Sequence, residues 1–194
     1  MSESRCNDII QPKANMTNRT VLLLLSSLAM GFSMLGAESE PTLNPHLEVL
    51  RPLVGKTWKG TFNDSKPEKP TIDVARWERA LNGQAVRLLH SINQGMYGGE
   101  TLFVWNQKTQ QVEYFYFTTA GYMTTGTMTA KDGRIDTREK VEGDAGGVTE
   151  VRGTSEILPG GKFHVKAEYL KNGQWVLGHE VTYQEDPSSQ VVFK

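Results

Sequence analysis

Four short turn signals punctuate the chain: Leu81-Asn82-Gly83, Lys131-Asp132-Gly133, Pro159-Gly160-Gly161 and Lys171-Asn172-Gly173. Asn-Gly and Asp-Gly supply the positive-φ positions that tight hairpin turns require and that most side chains resist. The runs between such signals are rich in β-branched and aromatic residues. Strands are predicted at residues 56–62, 71–81, 84–92, 100–105, 111–118, 122–129, 134–142, 148–158, 162–170 and 175–183. With hairpin-length links and no segment long enough for a crossover helix, those strands must run antiparallel, up and down. A meander of about ten strands either closes or leaves two unpaired edges, so the expected fold is an all-β, closed antiparallel barrel.

One short helix precedes the barrel. Leu47, Leu50 and Leu53/Val54 recur at helical spacing, Pro45 stands where a first turn tolerates it, and Gly55 is placed to end the helix. Trp58 then opens the first strand. Residues 45–194 read as a single domain, residues 38–44 as a polar linker, and residues 21–37, VLLLLSSLAMGFSMLGA, as the apolar part of a secretory signal peptide cleaved after Ala37. Met16 offers an alternative start that would make the signal more compact. The expected location is therefore exported, periplasmic or secreted, with no stable membrane anchor after processing. Cys6 is the single cysteine, and it falls in the segment to be removed, leaving no disulfide, thiol nucleophile or thiolate metal site. A formal net charge of −1 provides no basic field for nucleic acid.

The short helix, the run Gly55-x-x-Trp58-x-Gly60 and about ten meandering strands together resemble the lipocalin-like (calycin) barrels. Within them the layout is most similar to exported lipocalin-like proteins of bacteria, and more remotely to fatty-acid-binding proteins and nitrobindin. The family's usual G-x-W carries one more residue here between Gly55 and Trp58. The resemblance implies that Trp58 plugs the barrel's base beside the helix, a place suited to a ring with one polar tip.

No catalytic motif is visible. The stretch LRPLVGKT at residues 50–57 ends like a phosphate-binding loop but has Leu50 where that loop needs glycine, and no G-x-S-x-G elbow occurs. None of His46, His90, His164 and His179 has metal-ligand spacing to another. In the last strand Trp175, Leu177, His179, Val181 and Tyr183 alternate onto one face, which puts His179 inside. A nitrobindin-like reading would make His179 the axial ligand of a haem; the ordinary reading is a ring whose nitrogens are satisfied by neighbours. His164, alternating with Lys166 and Glu168, belongs outside, and solvent is also expected for Arg76, Glu78 and Arg87. The charged segment 134–144 reads as a solvated wall. In QVEYFYFT, residues 111–118, Tyr114 and Tyr116 share one face and Phe115 and Phe117 the other.

These features predict non-catalytic binding of a small apolar or amphipathic molecule, with Trp105, Tyr114, Tyr116, Tyr122 and His179 as candidate ligand contacts and no metal or cofactor. The alternatives are haem on His179, and a barrel filled by Trp58, Trp175, Phe115 and Leu177 that works through an outer protein-contact surface.

Overall fold

The computed structural model describes residues 42–194; the signal segment, Met16, Cys6 and most of the linker lie outside them. Ten strands form one closed antiparallel barrel: β1 (Thr57–Phe62), β2 (Ile72–Ala80), β3 (Ala85–Ile92), β4 (Tyr97–Asn106), β5 (Gln111–Thr118), β6 (Met123–Lys131), β7 (Arg134–Glu142), β8 (Val148–Leu158), β9 (Lys162–Lys171) and β10 (Gln174–Glu185). Each pairs with its sequence neighbours, and β1 pairs with β10 to close the ring, Gly60 opposite Tyr183 and Phe62 opposite Val181. The tight turns take the backbone their residues favour. Asp132 and Gly133 have φ of 52° and 79°, and Asn172 and Gly173 have φ of 52° and 77°, both positive as a primed hairpin turn demands.

The expected helix is a 3-10 helix, Pro45–Leu50, capped by the Asn44 side chain, which accepts from the His46 N–H at 3.1 Å. Gly55 follows at φ 82° and turns the chain into β1. This segment seals one end of the barrel. Leu47, Leu50 and Leu53 are buried there with Trp58, whose indole N–H reaches the Leu53 carbonyl at 3.4 Å. The ring of His46 lies flat on Trp105, centroids 3.4 Å apart, and covers it from the helix side. The β2–β3 turn joins the same end, Gly83 accepting from the Asn44 N–H at 2.8 Å.

Pairing register fixes which side chains face inward. The inward rows include Asp73, Ala75 and Trp77 of β2, His90 and Leu88 of β3, Thr101 and Phe103 of β4, and Tyr114 and Tyr116 of β5. Outward, Arg76, Glu78, Arg87 and Glu100 form a ladder of ion pairs, and His164 bonds Glu180 at 2.8 Å. The segment 134–142 splits: Arg134, Asp136, Arg138 and Lys140 are solvated, whereas Ile135 is buried and Thr137, Glu139 and Val141 line the interior.

The last strand departs from simple alternation. Between Leu177 and His179 the pairing with β9 slips by one residue at Gly178, a β-bulge. Trp175 and Leu177 therefore lie outside, Leu177 62% exposed, while His179, Val181 and Tyr183 lie inside. Trp175 instead takes the Arg152 guanidinium over its ring at 4.4 Å. Phe115 and Phe117 are also outside, 36% and 51% exposed. Of the four residues expected to fill a packed interior, only Trp58 is internal. Beyond β10 the C-terminal tail returns to the β3–β4 hairpin, where the Val192 N–H donates to the Ser91 hydroxyl at 3.0 Å.

Candidate functional site

The interior holds a cavity of about 440 Å³, within the range of small-molecule sites. Its floor is apolar. Trp77 stacks on Phe103 with centroids 5.7 Å apart, Phe103 meets Tyr114 at 5.2 Å, and Phe163 stands edge-on to Trp77 at 6.1 Å. The Trp77 indole N–H is buried without a hydrogen-bond partner among the described residues.

Above that floor runs a hydrogen-bonded belt that begins at Asp73. One of its carboxylate oxygens accepts from the Tyr183 hydroxyl at 2.7 Å, and the other lies 3.0 Å from His90 Nδ1. His90 Nε2 is 2.7 Å from the Tyr116 hydroxyl, which is 2.9 Å from that of Tyr97, itself 2.6 Å from that of Tyr122. Six residues from five strands and the β5–β6 connection are thereby linked in one chain. Burial drives the phenols of Tyr97, Tyr116 and Tyr183 far above the ordinary range, so they remain hydroxyls able to donate as well as accept.

A second polar cluster occupies the opposite wall. Glu139 accepts from the Thr124 hydroxyl and has no Lys or Arg partner among the described residues. Burial raises its pKa, only partly opposed by the Thr124 bond. Nearby, the Tyr169 hydroxyl and His179 Nδ1 are 2.7 Å apart. Burial foremost pushes Tyr169 up to about 12, with the charges of Tyr122, Glu139 and Asp64 adding to it. Burial also lowers His179 and keeps its imidazole neutral, although Asp73 pulls the other way.

Glycine makes room for these rings. A Cβ on Gly126 would lie 2.5 Å from the Tyr114 ring, one on Gly99 2.4 Å from that of Tyr116, and one on Gly178 2.6 Å from that of Tyr169. Small residues across the sheet allow bulky ones to lie flat along the inner wall, so the cavity survives beneath a crowd of tyrosines.

Of the residues singled out from sequence, Tyr114, Tyr116, Tyr122 and His179 all line this cavity. Trp105 does not: it is the β4 residue beneath His46, toward the sealed end. Sequence reasoning passed over Asp73, His90 and Glu139. Alternation carried the signal for the two acids, since Asp73 shares a face with Ala75 and Trp77, and Glu139 with Ile135 and Val141. A second depression, about 750 Å³, lies against the outer wall of β6–β10. Its charges are largely matched by one another, Arg134 with Asp136, Arg152 with Glu168 and His164 with Glu180, which is the pattern of a solvated face.

No protein-family description matches the chain, and no curated protein matches it. Among solved structures it is similar to the crystal structure of Rv2717c from M. tuberculosis, with a TM-score of 0.53 and 13% identity, over 76% of this chain and 100% of that one. At that identity the likeness is one of fold, and it fits a calycin-like barrel.

Proposed function

We propose that this protein is an exported barrel that binds a small amphipathic molecule without transforming it. The observation that carries the reading is the cavity itself, apolar at Trp77, Phe103 and Phe163 and hydrogen-bonding along the Asp73–His90–Tyr116–Tyr97–Tyr122 belt. An apolar body enters the floor by the hydrophobic effect, and a polar end exchanges its water for donors already held in place. Catalysis is not part of the proposal, because the polar groups bond one another around the wall rather than converging as a nucleophile with its base.

The test is native mass spectrometry of the protein isolated gently from its own cells, with the same sample run denatured. Excess mass in the native spectrum alone supports a bound molecule. A bare mass, joined by failure of every amphiphile tried to perturb the Trp77 fluorescence, counts against one. The denatured mass reports at the same time whether residues 1–37 have been removed, which the export proposal requires.

Haem is the second reading, and one observation favours it: His179 faces the cavity with its Nδ1 2.7 Å from the Tyr169 hydroxyl and no partner on Nε2 among the described residues. A metal-bound histidine is commonly held this way. The rest of the lining fits the group poorly, because it carries Asp73 and Glu139 and no Lys or Arg to meet the two propionates. Adding haemin should therefore give no intense visible absorption. A strong band lost in His179→Ala would reinstate haem.

A further inference from the structure

The barrel's charge inventory says more about the ligand than its shape does. Among the described residues no Lys or Arg lines the cavity, whereas two carboxylates, Asp73 and Glu139, do. The two differ in how they are used. Asp73 is 3% exposed and satisfied by His90 and Tyr183. Glu139, across the cavity, has one neutral donor, the Thr124 hydroxyl, and no cation. An ionised carboxylate in such a place is costly unless paired, and nothing in the wall pairs it.

We propose that the cavity selects a cationic amphiphile, an alkyl or aryl amine, whose charged head is met by Glu139 while its apolar body occupies the Trp77–Phe103–Phe163 floor. The inference rests on the binding function proposed above. An ammonium head supplies the missing counter-charge and up to three donors, which Glu139 and the hydroxyls of Tyr114 and Tyr169 can accept. Register puts them in one row: Tyr114, Gly126, Glu139, Val151 and Tyr169 stand opposite one another across β5 to β9, and Tyr114, Glu139 and Tyr169 all line the cavity. Electron-rich rings beside a carboxylate also favour a cation over a neutral head. A fatty acid meets the opposite situation. Its carboxylate would face Asp73 and Glu139, with Asp64 of the β1–β2 connection contributing a further negative charge felt at His179 and Tyr169, and no guanidinium to receive it.

Three probes of one length decide the matter: decylamine, decan-1-ol and decanoate, titrated calorimetrically into the full chain near neutral pH below their micellar concentrations. Decylamine is expected to bind about ten-fold or more tighter than decanoate. Glu139→Gln keeps the shape and a group able to bond Thr124, and it should erase the amine's advantage over the alcohol. Equal or tighter binding of decanoate by the wild type overturns the proposal even if the variant does not fold. So does a folded Gln variant that keeps the amine preference. Failure of all three probes to bind overturns the binding function too, whereas alcohol and carboxylate binding without amine preference overturns the charge selection alone.

Discussion

Substituting Gly178 with alanine should have opposite effects depending on what stands at position 169. All three atoms nearest a Cβ built on Gly178 belong to the Tyr169 ring, at 2.6, 2.6 and 2.8 Å. Carbon atoms prefer roughly 3.5–4.0 Å, so the ring must withdraw by about 1 Å. Overpacking of that kind costs about 1–3 kcal/mol. The hydroxyl that lies 2.7 Å from His179 moves with the ring, and losing that bond costs a further 1 kcal/mol or so. The backbone raises no objection, because Gly178 is absent from the positive-φ glycines. Alanine there trims the freedom of the unfolded chain and returns about 0.4–1 kcal/mol. Gly178→Ala in the wild type should thus destabilise by about 1–3 kcal/mol net. In a Tyr169→Ala background the obstacle is gone and the same change should stabilise by up to about 1 kcal/mol. Equilibrium urea unfolding of the four proteins, followed through tryptophan fluorescence, gives both numbers. Additivity within about 0.5 kcal/mol would show that the ring does not rest on the glycine and would refute the reasoning.

Leu50→Ala, at a side chain 1% exposed in the sealed end, should cost about 2–5 kcal/mol in the same unfolding assay. Ligand affinity should be kept in the molecules that remain folded, because Leu50 is not a cavity residue. An imidazole titration by NMR should place His179 below the ordinary value of about 6.5. The unfolded chain then holds more protons in the window beneath 6.5, so the stability contributed by His179 is complete above that pH and falls as the pH drops through the folded value. A midpoint at or above 6.5 would contradict its burial.

Much of the barrel was legible because its signals are local. An Asn-Gly or Asp-Gly turn commits the backbone whatever surrounds it, and QVEYFYFT separates two faces within eight residues. The tyrosines of that strand could be assigned to one side before any partner was known. What failed was alternation carried too far. In β10 one extra residue at Gly178 moves Trp175 and Leu177 to the outside; a glycine inside a strand run is the local mark of such a bulge, and strict alternation passes over it. Trp105 is placed by other means. Its inward direction follows from the register of β4 with β5, but the depth at which His46 covers it is a tertiary fact. The belt at Asp73 and His90 was overlooked because its members lie 17 residues apart in sequence and meet only across β2 and β3.

Ring closure has a consequence for the time course of folding. Nine of the ten strand pairings join neighbours in sequence, but the tenth joins Trp58 to Glu185 and Gly60 to Tyr183. Bringing those ends together costs about 2–3 kcal/mol more chain entropy than closing a hairpin, which makes the β1–β10 seam the natural late event. Tyr183 crosses that seam to bond Asp73, 110 residues away in sequence. The belt is therefore unfinished in any intermediate with an open seam. A ligand that reads the belt discriminates between the last two states of the folding reaction, and its binding rate after dilution from denaturant would time the closing of the ring.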